Sequence, residues 1–223
     1  MPVAAYILVA LAAYLLGSIP TGFLVARVKG IDIRSVGSGN IGATNTMRAL
    51  GKPAGILVFL GDALKGFAAV ALAGVICRQL NELLPNVFTD AAVADATVRG
   101  NLGALGGLFA VLGHNYTCWL KFKGGKGVAT SAGVYLALAP GSVAIAIGTW
   151  VLVFVVTRYV SLASIAAAVA LSAAVWIREG NLLLGLLTTG IGALAIYKHR
   201  TNIQRLRAGT ESRTSFRKEK TAV

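Results

Sequence analysis

The chain has 223 residues, 56% of them hydrophobic and only 13% charged, with a mean hydropathy of +0.74. That is more apolar surface than a soluble domain of this length can bury, so a soluble enzyme is excluded and an integral membrane protein is expected. Lysine and arginine outnumber the acidic residues 21 to 8, which leaves few carboxylates to hold a metal.

The first apolar segment, roughly Val3 to Ile19, lacks a basic leading region and a small-residue cleavage site, so it reads as a retained span. Pro20 and Gly22 punctuate its end. From Thr21 to Lys52 there are five basic residues and one acidic. Within that stretch stands Gly37-Ser38-Gly39-Asn40-Ile41-Gly42-Ala43-Thr44-Asn45. Its three glycines let backbone N–H groups converge as an anion nest, and Thr44 and Asn45 can cap a helix start. A flexible connector is the plain alternative. A second span runs from near Ala54 to about Ile76 and carries Asp62 and Lys65 one helical turn apart, where they can pair. Ionisable groups at membrane depth are costly, so the pair is either structural or part of a site.

The connection from Arg78 to Gly100 is mildly acidic, and a third span covers about Asn101 to Trp119. Around its end lie Gly113-His114-Asn115 and then Lys121-Phe122-Lys123-Gly124-Gly125-Lys126-Gly127, three ammonium groups among three glycines, which suits an oxyanion without matching a Walker A motif. The apolar run from Val128 to Thr157 is long for one span; Pro140-Gly141 divides it into two short helices. Spans near Val160 to Ile177 and Leu182 to Tyr197 follow, then a tail from Lys198 with eight basic and two acidic residues. In that tail His199 and Asn202 share a helix face, with Gly209-Thr210-Glu211 downstream. Cys77 and Cys118 read as packing residues rather than a disulfide or metal pair.

Basic short loops stay cytoplasmic, so the first cluster, the glycine–lysine cluster and the tail belong on one face. With 128–157 as two helices this gives seven transmembrane helices, N-terminus outside and C-terminus cytoplasmic, in an all-α polytopic protein; as one long tilted helix it would give six and leave the tail outside, against its charge. Residues 1–223 then form one integral-membrane domain whose basic tail, 198–223, contains the third motif. Scattered acidic residues disfavour a kinase, and no Gly-x-Ser-x-Gly elbow marks a hydrolase. Joining two phosphate-bearing reactants needs mainly cations and amide donors, which is the inventory here.

Gly17-Ser18-Ile19-Pro20 with the 37–45 stretch, Leu-Lys-Phe-Lys-Gly-Gly-Lys-Gly-Val-Ala-Thr at 120–130, and His199-Arg200-x-Asn202-Ile203 with Gly209-Thr210-Glu211 together resemble the bacterial acyl-phosphate:glycerol-3-phosphate acyltransferases, the PlsY family. The three motifs stand in the family's order and span nearly the whole chain. The resemblance implies a seven-helix enzyme of the bacterial inner membrane, active at its cytoplasmic face. It would move a fatty acyl group from acyl phosphate to the 1-hydroxyl of sn-glycerol 3-phosphate, giving lysophosphatidic acid and phosphate in the first step of phospholipid synthesis. It also implies catalytic roles for Ser38, Arg48, Lys126, His199 and Asn202, a glycerol-phosphate loop of Gly124, Gly125 and Gly127, and a structural Glu211. Gly39, Asn40, Gly42, Thr44, Asn45, His114, Lys121 and Lys123 join the expected substrate-binding set, and Asp62 and Lys65 the structural one. No cofactor, metal or nucleic acid is implied; the partners are the two substrates, the bilayer and, upstream, a phosphate:acyl-ACP acyltransferase supplying the donor. Tyr116-Thr117-Cys118 stands where many relatives carry a proline after the second-motif histidine. That departure bears on local loop shape.

An acyl phosphate is already activated, so no enzyme nucleophile is required. The acceptor proton goes either to His199, which surrounding cations should keep neutral, or to the donor's own phosphate, the route favoured here. A transporter would place its charges mid-membrane, and a lipid-anchored scaffold would need only the basic tail.

Overall fold

A computed structural model describes residues 3–83 and 96–214, and all regular structure among them is helical. Asp90 and Asp95, on which the acidic character of the 78–100 connection rests, and the tail beyond 214 lie outside the described residues.

Helix α1 (Val3–Ser18) breaks before Pro20, which has no amide hydrogen to extend the ladder, and the chain resumes as α2 (Thr21–Val28). The buried positions of α1, Ala5, Val9, Ala13 and Gly17, recur every fourth residue, whereas Ile7, Leu8, Leu11 and Leu15 are exposed. This stripe of small residues packs against α5 (Ala96–Asn115). A methyl group on Gly17 would lie 2.2 Å from the Ala110 carbonyl oxygen, and one on Gly113 would lie 2.3 Å from that of Tyr14. Such close backbone approach holds apolar helices together in lipid, where burial against a neighbour gains little over burial in acyl chains.

Between them, α3 (Ala43–Leu50) is short and amphipathic, while α4 (Lys52–Leu83) has 32 residues, about 48 Å of helix. It starts before and ends beyond the expected Ala54–Ile76 span. α4 packs on α5 and on α6 (Val128–Leu138), where backbone again meets backbone: a methyl on Gly133 would clash with the Ala63 carbonyl. The 128–157 run is two helices, as the sequence suggests, but the break falls at Ala139. Pro140 is already the first residue of α7 (Pro140–Thr157), where its missing amide costs nothing, and Gly141 lies inside that helix. Helices α8 (Val160–Arg178) and α9 (Leu182–Lys198) follow, and a 55° bend at His199 leads into the charged α10 (Arg200–Arg207).

α7 packs along α8, and α8 along α9. Ser142 donates to the Glu179 carboxylate at 2.7 Å, joining the start of α7 to the end of α8, and the Tyr135 hydroxyl donates to Thr188 at 2.8 Å, joining α6 to α9. Among the described residues, 3–28, 52–80, 140–157 and 160–178 are long and apolar enough to cross a membrane, and 182–207 makes a fifth if the bent pair is one span. α6, with 11 residues, is shorter than an ordinary crossing, and α5 carries Arg99, Asn101, His114 and Asn115. The third expected span thus lies nearer the N-terminus than Asn101–Trp119, with a separate turn at Cys118–Leu120.

Candidate active site

The three polar motifs converge. One cavity of about 160 Å³ is lined by Ser38, Asn40, Gly42, Thr44, Asn45 and Arg48, by Lys126 and Gly127, and by His199, Asn202 and Glu211, with Asp62 and His114 also on its wall. A second, of about 180 Å³, shares Ser38, Asn40, Lys126 and Asn202 with it and adds Gly39, Gly124, Lys198, Arg200, Thr201 and Arg205. Lys126 and Asn202 therefore stand on the wall common to two cation-lined hollows.

The first motif is built differently from an anion nest. Gly37 and Gly39 do adopt left-handed backbone, φ 59° and 69°. Their neighbours' amides, however, turn inward: Ser38 N–H donates to Asn45 Oδ1, Gly39 N–H to the Val36 carbonyl, and Gly42 N–H to Asn40 Oδ1. Asn45 is only 2% exposed, and its amide also donates to the carbonyls of Ile33, Val36 and Asn40. Asn45 thus acts as the internal clamp of the loop, and neither it nor Thr44 caps α3, whose cap is Gly42 without a side-chain bond. Ser38, Asn40, Gly42, the start of α3 and Arg48 line the cavity.

In the second motif Gly124 N–H donates to the Asn115 carbonyl and Gly125 N–H to that of His114. These two amides hold the loop against α5. A methyl on Gly125 would meet the His114 ring, and one on Gly124 the His114 carbonyl, so both glycines answer to close packing. Lys126 is the cation of this segment that lines both hollows. Lys121 and Lys123 are exposed and line neither hollow, and Lys121 and Phe122 adopt left-handed backbone, φ 54° and 60°. Tyr116-Thr117 is fastened by other means than a proline: Tyr14 donates to the Tyr116 carbonyl and Thr117 to that of Ser18.

Asp62 and Lys65 pair at 2.8 Å, both buried, and Lys65 also donates to the Ile19 carbonyl at 2.7 Å. His114 Nδ1 lies 3.5 Å from the same carboxylate. The pair therefore joins the break between α1 and α2 to α4 and to the end of α5.

In the third motif, Asn202 donates to Glu211 Oε1 at 2.7 Å and accepts from the Lys126 ammonium. Ser161 donates to the same Oε1, and Arg205 to Oε2, each at 2.7 Å. Burial would raise the Glu211 pKa, but the bonds from Arg205, Ser161 and Asn202 outweigh it and hold the carboxyl below its ordinary value. Lys126 is lowered to about 8, first by burial; Glu211 opposes the shift, and Arg205 and Arg48 add to it. His199 follows the last residue of α9, and its Nδ1 lies 2.8 Å from the Ala195 carbonyl, an acceptor, so this nitrogen carries the proton and Nε2 a lone pair. Burial, more than the nearby Lys126 ammonium, pushes His199 down to about 4. It is neutral at neutral pH.

Phe59, Trp150, Ser161 and Ser164 also line the first cavity. No motif marks them. The one signal available is the pair of hydroxyls, Ser161 and Ser164, one turn apart at the start of a largely apolar helix.

The sequence matches the family described as glycerol-3-phosphate acyltransferase over residues 7–209. A glycerol-3-phosphate acyltransferase of Geotalea daltonii is 47% identical over 92% of this chain and 96% of its own length. One from Geobacter metallireducens is 50% identical over 93% and 96%. Among solved structures, PlsY (YgiH), an integral membrane glycerol 3-phosphate acyltransferase, superposes with a TM-score of 0.80 in its glycerol 3-phosphate form, at 40% identity and covering 94% of this chain and 96% of that one. Its lysophosphatidic acid form gives 0.77 at 38% identity, covering 94% and 95%. With matches of this depth over nearly its whole length, the chain belongs to the glycerol-3-phosphate acyltransferase family.

Proposed function

We propose that this protein transfers a fatty acyl group from acyl phosphate to the 1-hydroxyl of sn-glycerol 3-phosphate, giving lysophosphatidic acid and inorganic phosphate. The observation that carries the reading is the shared wall of the two hollows, where Lys126 and Asn202 face both while Arg48 and Arg205 stand at either side. Two dianions repel each other by several kcal/mol at contact in a partly buried site, and bringing them together is the chief obstacle to the reaction. The glycerol 3-phosphate and lysophosphatidic acid forms of the neighbouring PlsY structure support an acceptor and product of this kind.

In the proposed reaction the 1-hydroxyl oxygen attacks the acyl carbonyl carbon, the bond from that carbon to the phosphate oxygen breaks, and phosphate departs with the electron pair. Lys126 and Arg48 hold the phosphates, while Ser38 and Asn202 orient donor and acceptor. The hydroxyl proton passes to the donor's own phosphate. His199, neutral with its Nε2 lone pair, is the other acceptor for that proton.

Seven crossings, N-terminus outside, fit the same reading. The end of α1, the start of α4, the end of α5, the start of α6, the end of α7, the start of α8 and the end of α9 all contribute to the motif-bearing end or adjoin it. The excess of basic residues there supports a cytoplasmic face. The deciding experiment offers radiolabelled glycerol 3-phosphate to purified protein in vesicles with palmitoyl phosphate or palmitoyl-CoA. Labelled lysophosphatidic acid from the phosphate alone is expected; product from the thioester would overturn the donor assignment, and no product from either would overturn the reaction.

A further inference from the structure

Asn202 sits between two groups that leave its amide no choice of orientation. A carboxylate only accepts hydrogen bonds and an ammonium only donates them, so the Asn202 NH2 must face Glu211 and its oxygen must face Lys126. Glu211 is itself fixed by two further bonds, from Arg205 on the same helix as Asn202 and from Ser161 on α8. The result is a line of bonds from α8 through the segment after α10 to the loop before α6, ending at the cation on the wall of both hollows. Ser161 belongs to none of the three motifs.

We propose that Ser161 and Glu211 are positioning residues that act through Asn202, keeping the Lys126 ammonium charged and aimed at the phosphates; this deepens the acyl-transfer reading above and rests on it. The groups that act on Lys126 are Glu211 beyond α10, Arg205 on α10, Arg48 on α3 and His199 at the α9–α10 bend, and the two hollows it lines also hold Asp62 and His114 in the first and Lys198 and Arg200 in the second. His199 is neutral, and both arginines repel the ammonium. Asp62 is already paired with Lys65, so Glu211 is the anion linked to Lys126, through the Asn202 amide, and the charge state of Lys126 depends on it. A glutamate that merely held the fold together would not control that titration.

The test reads Lys126 directly. Purified protein in vesicles is labelled with acetic anhydride across a pH series, and the extent of acetylation at Lys126 is read by mass spectrometry. The wild-type midpoint is expected at about 8. Glu211→Gln should lower it by about half a pH unit or more, the effect of removing one nearby charge from a partly buried site. Ser161→Ala keeps the charge, so its midpoint should stay while turnover falls severalfold as Glu211 loosens. The basic limb of kcat/KM should move with the labelling midpoint in each variant. If Glu211→Gln fails to fold, Glu211→Asp, which draws the carboxylate back by one methylene, replaces it and should show a smaller shift in the same direction. An unchanged midpoint in the folded glutamate variant overturns the proposal, even if activity is lost. A shifted midpoint in Glu211→Gln, beside a wild-type protein that forms no lysophosphatidic acid, would sustain the coupling and overturn the acyl-transfer reading instead.

Discussion

At the scale of single residues, the same side-chain chemistry serves opposite purposes depending on what it faces. Asn45 and Asn202 are both buried amides, yet Asn45 is saturated by its own loop, whereas Asn202 joins an anion to a cation on the cavity wall. Asn45→Ala should therefore act on stability, removing up to four bonds and costing roughly 3 kcal/mol. Thermal unfolding in detergent reads this, and Asn45→Asp should be no better, since a carboxylate cannot donate to the three carbonyls. Lys126→Ala should lower kcat/KM by about a hundredfold or more, the scale of losing one preorganised charge partner of the transition state. The wild-type profile carries a sign that can be checked. With the Lys126 pKa lowered to about 8, the ammonium is present below that pH, so kcat/KM should fall as pH rises through it. His199, lowered to about 4, is already neutral across that range and contributes no limb near neutrality. If the donor's phosphate takes the proton, His199→Ala lowers the rate and leaves the acid limb in place; disappearance of a limb near pH 4 would assign the base to His199.

Among the helices, the buried ion pair on α4 carries the clearest consequence. Asp62 and Lys65 are each at most 5% exposed and hold the broken α1–α2 junction through the Ile19 carbonyl. Removing one partner strands the other charge, which costs about 3–5 kcal/mol, whereas replacing both costs far less. Asp62→Asn or Lys65→Met alone should thus give little folded protein, and the double variant should recover most of it, as judged by size-exclusion profile and unfolding temperature. The opposite result, a double variant worse than either single one, would mean the two residues act independently. Gly133 against the Ala63 carbonyl fixes the α4–α6 contact in a similar way: Gly133→Val should separate these helices and with them Lys126 from Arg48.

For the whole molecule, the proposed orientation can be tested by labelling. In a variant lacking Cys77 and Cys118, a cysteine placed at exposed Lys121 should react with a membrane-impermeant maleimide in inside-out vesicles and be protected in right-side-out ones. Labelling from the outside would reverse the proposed topology. The segment after α10 shows how far distant parts depend on one another. Although it belongs to the basic tail, Glu211 enters the site, Arg213 bonds the Tyr159 hydroxyl, and Thr214 N–H reaches the Arg158 carbonyl. Ending the chain at Gly209 should therefore abolish activity while leaving the membrane helices inserted.

The sequence by itself determined the membrane setting, the helical class and the three motifs, and it offered a break at Pro140-Gly141 that the structure places at Ala139. Each of these is written in composition, in a proline or in a short run of adjacent residues. It could not determine which polar atoms stay available to a ligand. Ser38, Gly124 and Gly125 offer amides that look free in a glycine-rich stretch, and only the folded chain brings Asn45, Asn115 and His114 to take them up. Nor could it bring Ser161 beside Glu211, fifty positions away, or set Lys126 on a wall shared by two hollows. Local pattern fixes what a residue can do. Burial and the identity of its neighbours, which arise when helices pack, decide what it does.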